Sequence, residues 1–96
     1  MDLTKDLEIV DNINLILERG VSTKVGIVIK NKSAAVKTVN IQPSCGCVIA
    51  ESFVTLEPYE VKFAKLMITR MVSGLVIITF QNDQELYYCH LNIEVK

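Results

Sequence analysis

Apolar and polar residues alternate along almost the whole chain with a period of two residues, rather than the period of about 3.6 that is typical of helices. Residues 23–30 show this most clearly, because Val25, Ile27 and Ile29 would share one face of a strand. Residues 86–95 repeat the alternation. The pattern therefore predicts a chain built from β-strands.

Turn-forming residues divide this pattern into short extended segments. The predicted segments are residues 7–10, 13–17, 23–30, 36–41, 48–50, 53–56, 61–69, 75–80 and 86–95. The last two form a hairpin, and the continuous apolar run at 75–80 is typical of a central strand covered on both faces. Within residues 61–69 the inward candidates shift from Val61 and Phe63 to Leu66 and Ile68, which predicts a bulge near residues 64 and 65.

This arrangement predicts one domain spanning residues 1–96, an antiparallel sandwich of two sheets with about seven strands. A closed barrel is the structural alternative, which the few and irregularly placed glycines disfavour. The chain has 96 residues, of which 50% are hydrophobic, enough to fill one compact core.

The net charge of −1, with acids and bases interspersed, builds neither a basic groove for nucleic acid nor a polybasic membrane patch. No apolar run approaches the roughly 20 residues of a membrane span. The first six residues lack the apolar centre of a signal peptide, which favours a cytoplasmic or virion location. If Met1 replaces a removed leader, the envelope or periplasm is expected instead.

The most distinctive stretch is Ser44-Cys45-Gly46-Cys47. Its glycine predicts a bulge or a tight bend, and two thiolates there could bind Cu(I) or Zn(II). Cys89 or His90 could complete such a site, but not both, since neighbours on a strand point to opposite faces.

The more ordinary interpretation of Cys45 and Cys47 is two small, partly buried residues flanking a bend, with no cofactor. A redox or disulfide role is a third interpretation, although a Cys45–Cys47 disulfide would close a very small ring. Because the three cysteines are an odd number, free thiols in a reducing compartment are the simpler expectation.

Catalytic chemistry is not indicated, and we predict no catalytic residue. The single histidine, His90, alternates with Tyr88 and Asn92, as expected for a solvated residue on a strand. No paired carboxylates, phosphate-binding glycine loop or Ser-His-Asp order is present in the sequence.

Tyrosines are the candidates for contact with a protein partner, since tyrosine often anchors interfaces. The three are Tyr59, Tyr87 and Tyr88, and one of the adjacent pair must face outward on a regular strand. The ordinary interpretation is an exposed strand tyrosine with no partner. The high Val, Ile and Leu content also predicts an exposed apolar patch that binds a partner.

Residues 28–33 and 36–47, which end in the Ser-Cys-Gly-Cys motif, resemble a bacterial immunoglobulin-like family of unknown function. The turns at Pro58, at Ser73-Gly74 and at residues 80–83 fall where that family has turns, so the resemblance covers residues 20–96. Tyr59 stands where the family usually has glycine. The layout is more distantly similar to abnormal-spindle/hydin and major-sperm-protein domains, which are binding and scaffolding modules.

The resemblance implies an immunoglobulin-like antiparallel β-sandwich that acts as a non-enzymatic structural or interaction module. We expect docking onto a larger protein assembly through strand edges and loops, with a phage capsid or tail accessory (decoration) protein as the first specific expectation. A thiolate metal protein that uses Cys45 and Cys47 is one alternative, and a bacterial envelope-associated binding module is the other.

Overall fold

A computed structural model describes residues 6–83 and 85–96, and within them the chain is all-β. Its nine strands are β1 (Leu7–Ile9), β2 (Asn12–Leu17), β3 (Thr23–Asn31), β4 (Lys37–Pro43), β5 (Val48–Ala50), β6 (Phe53–Leu56), β7 (Val61–Ile68), β8 (Gly74–Asn82) and β9 (Glu85–Val95). Every segment predicted from the sequence overlaps one of these strands, and the two-sheet sandwich is confirmed with nine strands instead of about seven. The predictions made on residues 1–5 and on Gln84 lie outside the described residues.

The two sheets have the strand orders β1-β3-β7-β5 and β2-β9-β8-β4-β6. The predicted hairpin of β8 and β9 is confirmed, with an unbroken register from Gly74↔Ile93 to Asn82↔Glu85. All the pairs are antiparallel except β2 with β9, which run parallel. That pair joins the second strand to the last, a non-local pairing that no turn signal in the sequence could predict.

The core lies between the two sheets and takes alternate residues from each strand. Its fully buried side chains include Phe80, Ile27, Ile29, Leu56, Ile68, Ile78 and Leu91. β8 occupies the centre of its sheet as predicted, but the prediction that both of its faces are covered is wrong. Leu75 is 55% exposed because its side of β8 faces outward, away from the other sheet.

β7 corrects a second prediction, that of a bulge near residues 64 and 65. Its register with β3 runs one to one from Thr23↔Ile68 to Lys30↔Val61, without an extra residue. A continuous alternation therefore buries Ala64 and leaves Val61 and Phe63 on the outer face, not in the core.

Asn31 is a buried polar residue at the end of β3, where the sequence predicted only a turn. Its Nδ2 donates hydrogen bonds to the carbonyl oxygens of Ala35 (2.8 Å) and Glu57 (3.0 Å). Its Oδ1 accepts from the backbone N–H (2.9 Å) and the hydroxyl (2.8 Å) of Ser33. Asn31 thus ties the β3–β4 loop to the β6–β7 turn.

The part of the chain that the structure describes holds no helix long and apolar enough to cross a membrane.

Candidate interaction surface and cysteine loop

The outer face of the four-stranded sheet combines exposed apolar side chains with lysines. We call it the Phe63 face; it consists of Lys24, Gly26, Val28 and Lys30 from β3, Ile49 from β5, and Val61, Phe63, Lys65 and Met67 from β7. On this face Ile49 is 72% exposed and Phe63 is 59% exposed. The pattern fits the exposed apolar patch predicted from the sequence.

The outer face of the five-stranded sheet is mostly polar by contrast. Its outward residues include the polar Asn12, Asn14, Asn40, Gln42, Thr79, Gln81, His90 and Asn92 and the exposed apolar Ile16, Phe53, Leu75, Leu86 and Tyr88. The two faces of the sandwich therefore differ in chemistry, and the apolar one is the stronger candidate for contact with a protein.

Gly26 shapes the centre of the Phe63 face. A Cβ atom on Gly26 would lie only 3.1 Å from Cδ1 of Phe63, so the phenyl ring uses the space that a side chain would otherwise fill. Residues of β3, β5 and β7 around this point line an open groove of about 760 Å³. The glycine thus leaves room for an aromatic side chain at the edge of the groove.

Beside this groove, β7 has an open edge. β5 pairs only with Leu66–Ile68, from Val48↔Ile68 to Ala50↔Leu66. After Ala50 the chain crosses to the five-stranded sheet, where β6 begins at Phe53. No described strand therefore lies beside residues 61–65 of β7 on that side.

The backbone groups on this edge can be assigned from two hydrogen bonds. The Thr69 amide donates to the Cys47 carbonyl at 3.0 Å, and the Lys65 amide donates to Oε1 of Glu51 at 3.4 Å, both on the β5 side. Since amides alternate along a strand, those of Val61 and Phe63 point to the same side. The open edge and the apolar face therefore share the same two residues.

The neighbouring edge of β6 is protected instead. Nζ of Lys62 donates to the Thr55 carbonyl at 2.7 Å and lies 3.8 Å from Oε1 of Glu60. A lysine across a strand edge is a common defence against unwanted pairing. Of the two edges, the β7 edge at Val61 and Phe63 is therefore the one whose backbone groups a partner strand can reach.

The tyrosines chosen from the sequence take three different positions. Tyr59 is 64% exposed in the β6–β7 turn, and Tyr88 is 50% exposed on the polar outer face. Tyr87 is only 8% exposed; its hydroxyl donates to Oε1 of Glu85 at 2.6 Å and accepts from the Leu7 amide at 3.2 Å. Burial and the Glu85 hydrogen bond raise its pKa well above the usual range. Tyr87 is therefore a core residue, and its predicted contact role is wrong.

The turn that carries Tyr59 requires a backbone conformation that usually selects glycine. Tyr59 has φ = 62° and follows Pro58, and the Glu60 amide donates to the Glu57 carbonyl at 3.0 Å. These are the features of a type II turn with a side chain at its left-handed position. The turn predicted at Pro58 is confirmed, and it tolerates a tyrosine where the resembling family has glycine.

Cys45 and Cys47 are joined in a disulfide, so the expectation of free thiols is wrong for this pair. The third cysteine, Cys89, is free and buried, and burial raises the pKa of its thiol to about 11. The predicted bend is present, since the Val48 amide donates to the Cys45 carbonyl at 3.2 Å. Gly46 does not have a positive φ, however, and apart from its two chain neighbours no atom lies within 4 Å of where its Cβ would be.

Ser44 attaches this bend to β8. The Ser44 amide donates to the Ile77 carbonyl at 2.9 Å, and its hydroxyl accepts from the Ile77 amide at 3.0 Å. Ser44 therefore continues the β4–β8 pairing for one residue beyond Pro43, which has no amide hydrogen to donate. Its role in the motif is to anchor the cysteine loop.

Arg70 is the residue of this loop cluster that sequence reasoning missed. Its Nη1 lies 3.6 Å from Sγ of Cys45 and 3.6 Å from Sγ of Cys47. No spacing signal connects an arginine with cysteines more than 20 residues earlier. The structure therefore places a positive charge directly against the two sulfur atoms.

The proposed thiolate metal site remains untested. In the described residues no group of three or more His, Cys, Asp or Glu side chains is arranged to hold a metal ion. His90, one suggested ligand, has its Nδ1 3.0 Å from the Asp11 carbonyl on the outer face of β9. In the oxidised pair the two sulfurs are bonded to each other, and Arg70 would repel a cation at the reduced pair. Metal binding by Cys45 and Cys47 stays a prediction for the reduced form.

No protein-family model matches this chain, and no curated protein matches it. Among solved structures, it is similar to an ASH / PapD-like domain of human CEP192, with TM-score 0.71 and 11% identity over 100% of this chain and 92% of that one. It is also similar to a protein of unknown function from Porphyromonas gingivalis W83, with TM-score 0.79 and 14% identity over 92% of this chain and 46% of that one.

A third similar structure is SSP-19, an MSP-domain protein like family member in Caenorhabditis elegans, with TM-score 0.65 and 9% identity over 81% of this chain and 92% of that one. At these identities the similarity establishes the fold alone. The distant resemblance to abnormal-spindle/hydin and major-sperm-protein domains is thus supported at the level of fold. The chain has the immunoglobulin-like β-sandwich fold, while membership of the bacterial family with the Ser-Cys-Gly-Cys motif stays a prediction.

Proposed function

We propose that this chain is a non-enzymatic interaction module that docks onto a protein partner through the Phe63 face and the open edge of β7. The observation that carries the proposal is the coincidence of two features at Val61 and Phe63. Their side chains are apolar and more than half exposed, and their amides point to the β5 side of β7, where no described strand lies beside them. Either feature alone is common on protein surfaces, but together they suit the addition of a strand.

In this proposal an extended partner segment lies beside β7 where β5 stops. Its backbone pairs with the amide and carbonyl groups of Val61 and Phe63, continuing the line that β5 begins. Alternate side chains of the segment then lie over the Phe63 ring and the groove beside Gly26. Backbone pairing supplies affinity, and the groove supplies selectivity for apolar side chains.

The charges of the Phe63 face indicate the chemistry of the partner. Lys24, Lys30 and Lys65 surround the apolar centre, while Glu8 pairs across from Lys30 and Glu51 caps the edge. Three lysines against two peripheral carboxylates favour a partner segment that carries Asp or Glu beside its apolar residues. Such pairs steer association and specify the register more than they add affinity.

The more specific role we propose is that of an accessory protein on a larger particle, with a phage capsid or tail as the first candidate. Its support is the absence of a recognisable catalytic arrangement in the sequence and the resemblance to binding and scaffolding domains. Isolation of the native complex tests this role together with the location of the protein, whether virion, cytoplasm or envelope. Many copies on a shell or tube protein are the expected result, and a lone monomer with no bound protein would contradict it.

The docking surface is tested with Phe63→Glu and with Tyr88→Glu as the matched control. Phe63 and Tyr88 are both aromatic and similarly exposed, but they lie on opposite outer faces. For the partner identified in the native complex, Phe63→Glu should weaken the Kd by about 30-fold or more, the effect of a central aromatic anchor. Tyr88→Glu should leave the Kd within about threefold. Equal effects of the two variants, or none from Phe63→Glu, would refute docking through this face.

A further inference from the structure

Arg70 faces the Cys45–Cys47 disulfide without a carboxylate to balance its charge. Within residues 6–83 and 85–96, no Asp or Glu forms an ion pair with Arg70. Its Nε donates to the Val72 carbonyl at 3.1 Å, which fixes the guanidinium in place. A neutral disulfide gives this cation little compensation, whereas a thiolate would give it a full counter-charge.

Gly74 makes room for this arrangement. A Cβ atom at Gly74 would lie 2.7 Å from Nη2 of Arg70, so any larger residue would push the guanidinium away. Two features therefore keep Arg70 against the sulfurs: the hydrogen bond to the Val72 carbonyl, and the absence of a side chain at Gly74 that would displace the guanidinium.

Gly46 lies at the surface between the two half-buried cysteines. Its φ is not positive, and apart from its two chain neighbours no atom lies within 4 Å of where its Cβ would be. Neither backbone conformation nor packing requires glycine there. The Gly46 side of the cysteine loop is therefore open to solvent.

We propose that Cys45 and Cys47 form a thiol–disulfide exchange site that accepts two electrons from a dithiol, with Arg70 stabilising the thiolate that leaves. This activity is independent of the docking function proposed above, because it uses a different set of residues. A dithiol is the required co-reactant, either on another protein or as a small molecule.

The exchange proceeds in two balanced steps. A thiolate of the donor attacks one sulfur of the disulfide, which forms a mixed disulfide and releases the other cysteine as a thiolate beside Arg70. The second donor thiol, once deprotonated, attacks the mixed disulfide and frees the remaining cysteine. The donor ends as a disulfide, two electrons have passed to the chain, and its two protons are shared between the cysteines and solvent.

The hydrogen bonds assign the two sulfurs different roles. The Cys47 amide lies 3.1 Å from Sγ of Cys45, so Cys45 has both a backbone donor and Arg70 beside it. Among the described residues, only Arg70 donates to Sγ of Cys47. Because the better-stabilised thiolate leaves faster, Cys45 is the leaving group and Cys47 is the sulfur that is attacked.

The first test equilibrates the folded protein with mixtures of reduced and oxidised dithiothreitol, followed by alkylation with iodoacetamide and peptide mass spectrometry. Cys45 and Cys47 should become alkylated together, while buried Cys89 stays unmodified and the circular dichroism spectrum is unchanged. Brief treatment with reduced glutathione and an acid quench should place the first mixed disulfide on Cys47. Reduction that occurs only when Cys89 also reacts would show a purely structural disulfide and overturn the proposal.

The second test measures the pH dependence of Cys45 alkylation in a Cys47→Ser background, with and without Arg70→Gln. Removal of the guanidinium should raise the midpoint by about one pH unit, so the thiolate fraction at neutral pH falls about tenfold. Arg70→Lys should restore part of the shift, since it returns the charge. An unchanged midpoint in Arg70→Gln would overturn the role of Arg70, because a merely structural arginine would leave the profile unmoved.

Discussion

Replacement of Tyr59 by glycine should stabilise the fold and, if Tyr59 contacts the partner, weaken binding. The backbone of Tyr59 has φ = 62°, a conformation that costs an L-residue roughly 1–2 kcal/mol and glycine almost nothing. The greater freedom of glycine in the unfolded chain offsets about 0.4–1 kcal/mol of this gain. The side chain is 64% exposed, so little packing is lost.

The net expectation is an increase of about 0.5–1 kcal/mol in the free energy of unfolding. For a domain of this size that corresponds to a rise of roughly 3–6 °C in Tm. Urea unfolding followed by circular dichroism measures the free energy, and a thermal scan measures Tm. Tyr59→Ala is the control, since it removes the same ring and keeps a Cβ atom in the strained conformation.

Tyr59→Ala should therefore be no more stable than the parent chain, while Tyr59→Gly is more stable. A Tyr59→Gly protein less stable than the parent would refute the strain argument, and so would equal stability of the two variants. Binding to the native partner separates the functional question. Weaker binding by both variants would show that the Tyr59 side chain contacts the partner. Unchanged binding would show that the strained backbone at Tyr59 is not retained for such a contact.

Two further predictions concern buried groups. Asn31→Asp keeps the shape of the side chain but replaces the amide donor that faces two carbonyl oxygens with an acceptor. Urea unfolding at neutral pH should therefore show a decrease of about 2–4 kcal/mol in the free energy of unfolding. A decrease below about 0.5 kcal/mol would contradict the role of Asn31 in tying the two loops together. Because burial raises the pKa of the Cys89 thiol to about 11, the unfolded chain loses this proton first, and the free energy of unfolding should fall as pH rises from about 8.5 toward 11. In urea titrations, Cys89→Ala should reduce the slope of the free energy of unfolding against pH. An identical slope in the two proteins would contradict the assignment of this pH dependence to the Cys89 thiol.

The sequence predicted the strands well, because period-two alternation and turn residues are local signals. It failed on β7, where Val61 and Phe63 are apolar yet lie outside. Alternation reveals which residues share a face but not which face meets the core, and a bulge was inferred only to bring both apolar sets inward. The residues that the sequence placed wrongly are the ones on which the proposed docking function rests.

The cysteine loop shows a different limit. Local reasoning predicted the bend at Ser44–Cys47, but an odd cysteine count favoured free thiols over a disulfide between near neighbours. Arg70 and Gly74 reach this loop only through the fold, so no motif could include them. The same holds for Asn31, since its partner carbonyls at residues 35 and 57 become neighbours only through long-range pairing of strands, β4 with β6 and β3 with β7.

The parallel pairing of β2 with β9 has a consequence for synthesis on the ribosome. The four-stranded sheet has all its strands once residue 68 has emerged, but the five-stranded sheet then has only β2, β4 and β6. β8 and β9, which lie between β2 and β4, are synthesised last. Each β2 residue therefore stays unpaired until its partner in β9 is made 78 residues later, as in the pair Asn12↔His90. During that interval one face of the early sheet is uncovered, and its apolar residues are the ones that a chaperone would meet. Slowing translation after β7 should therefore favour misassembly of this chain, whereas slowing it after β9 should not.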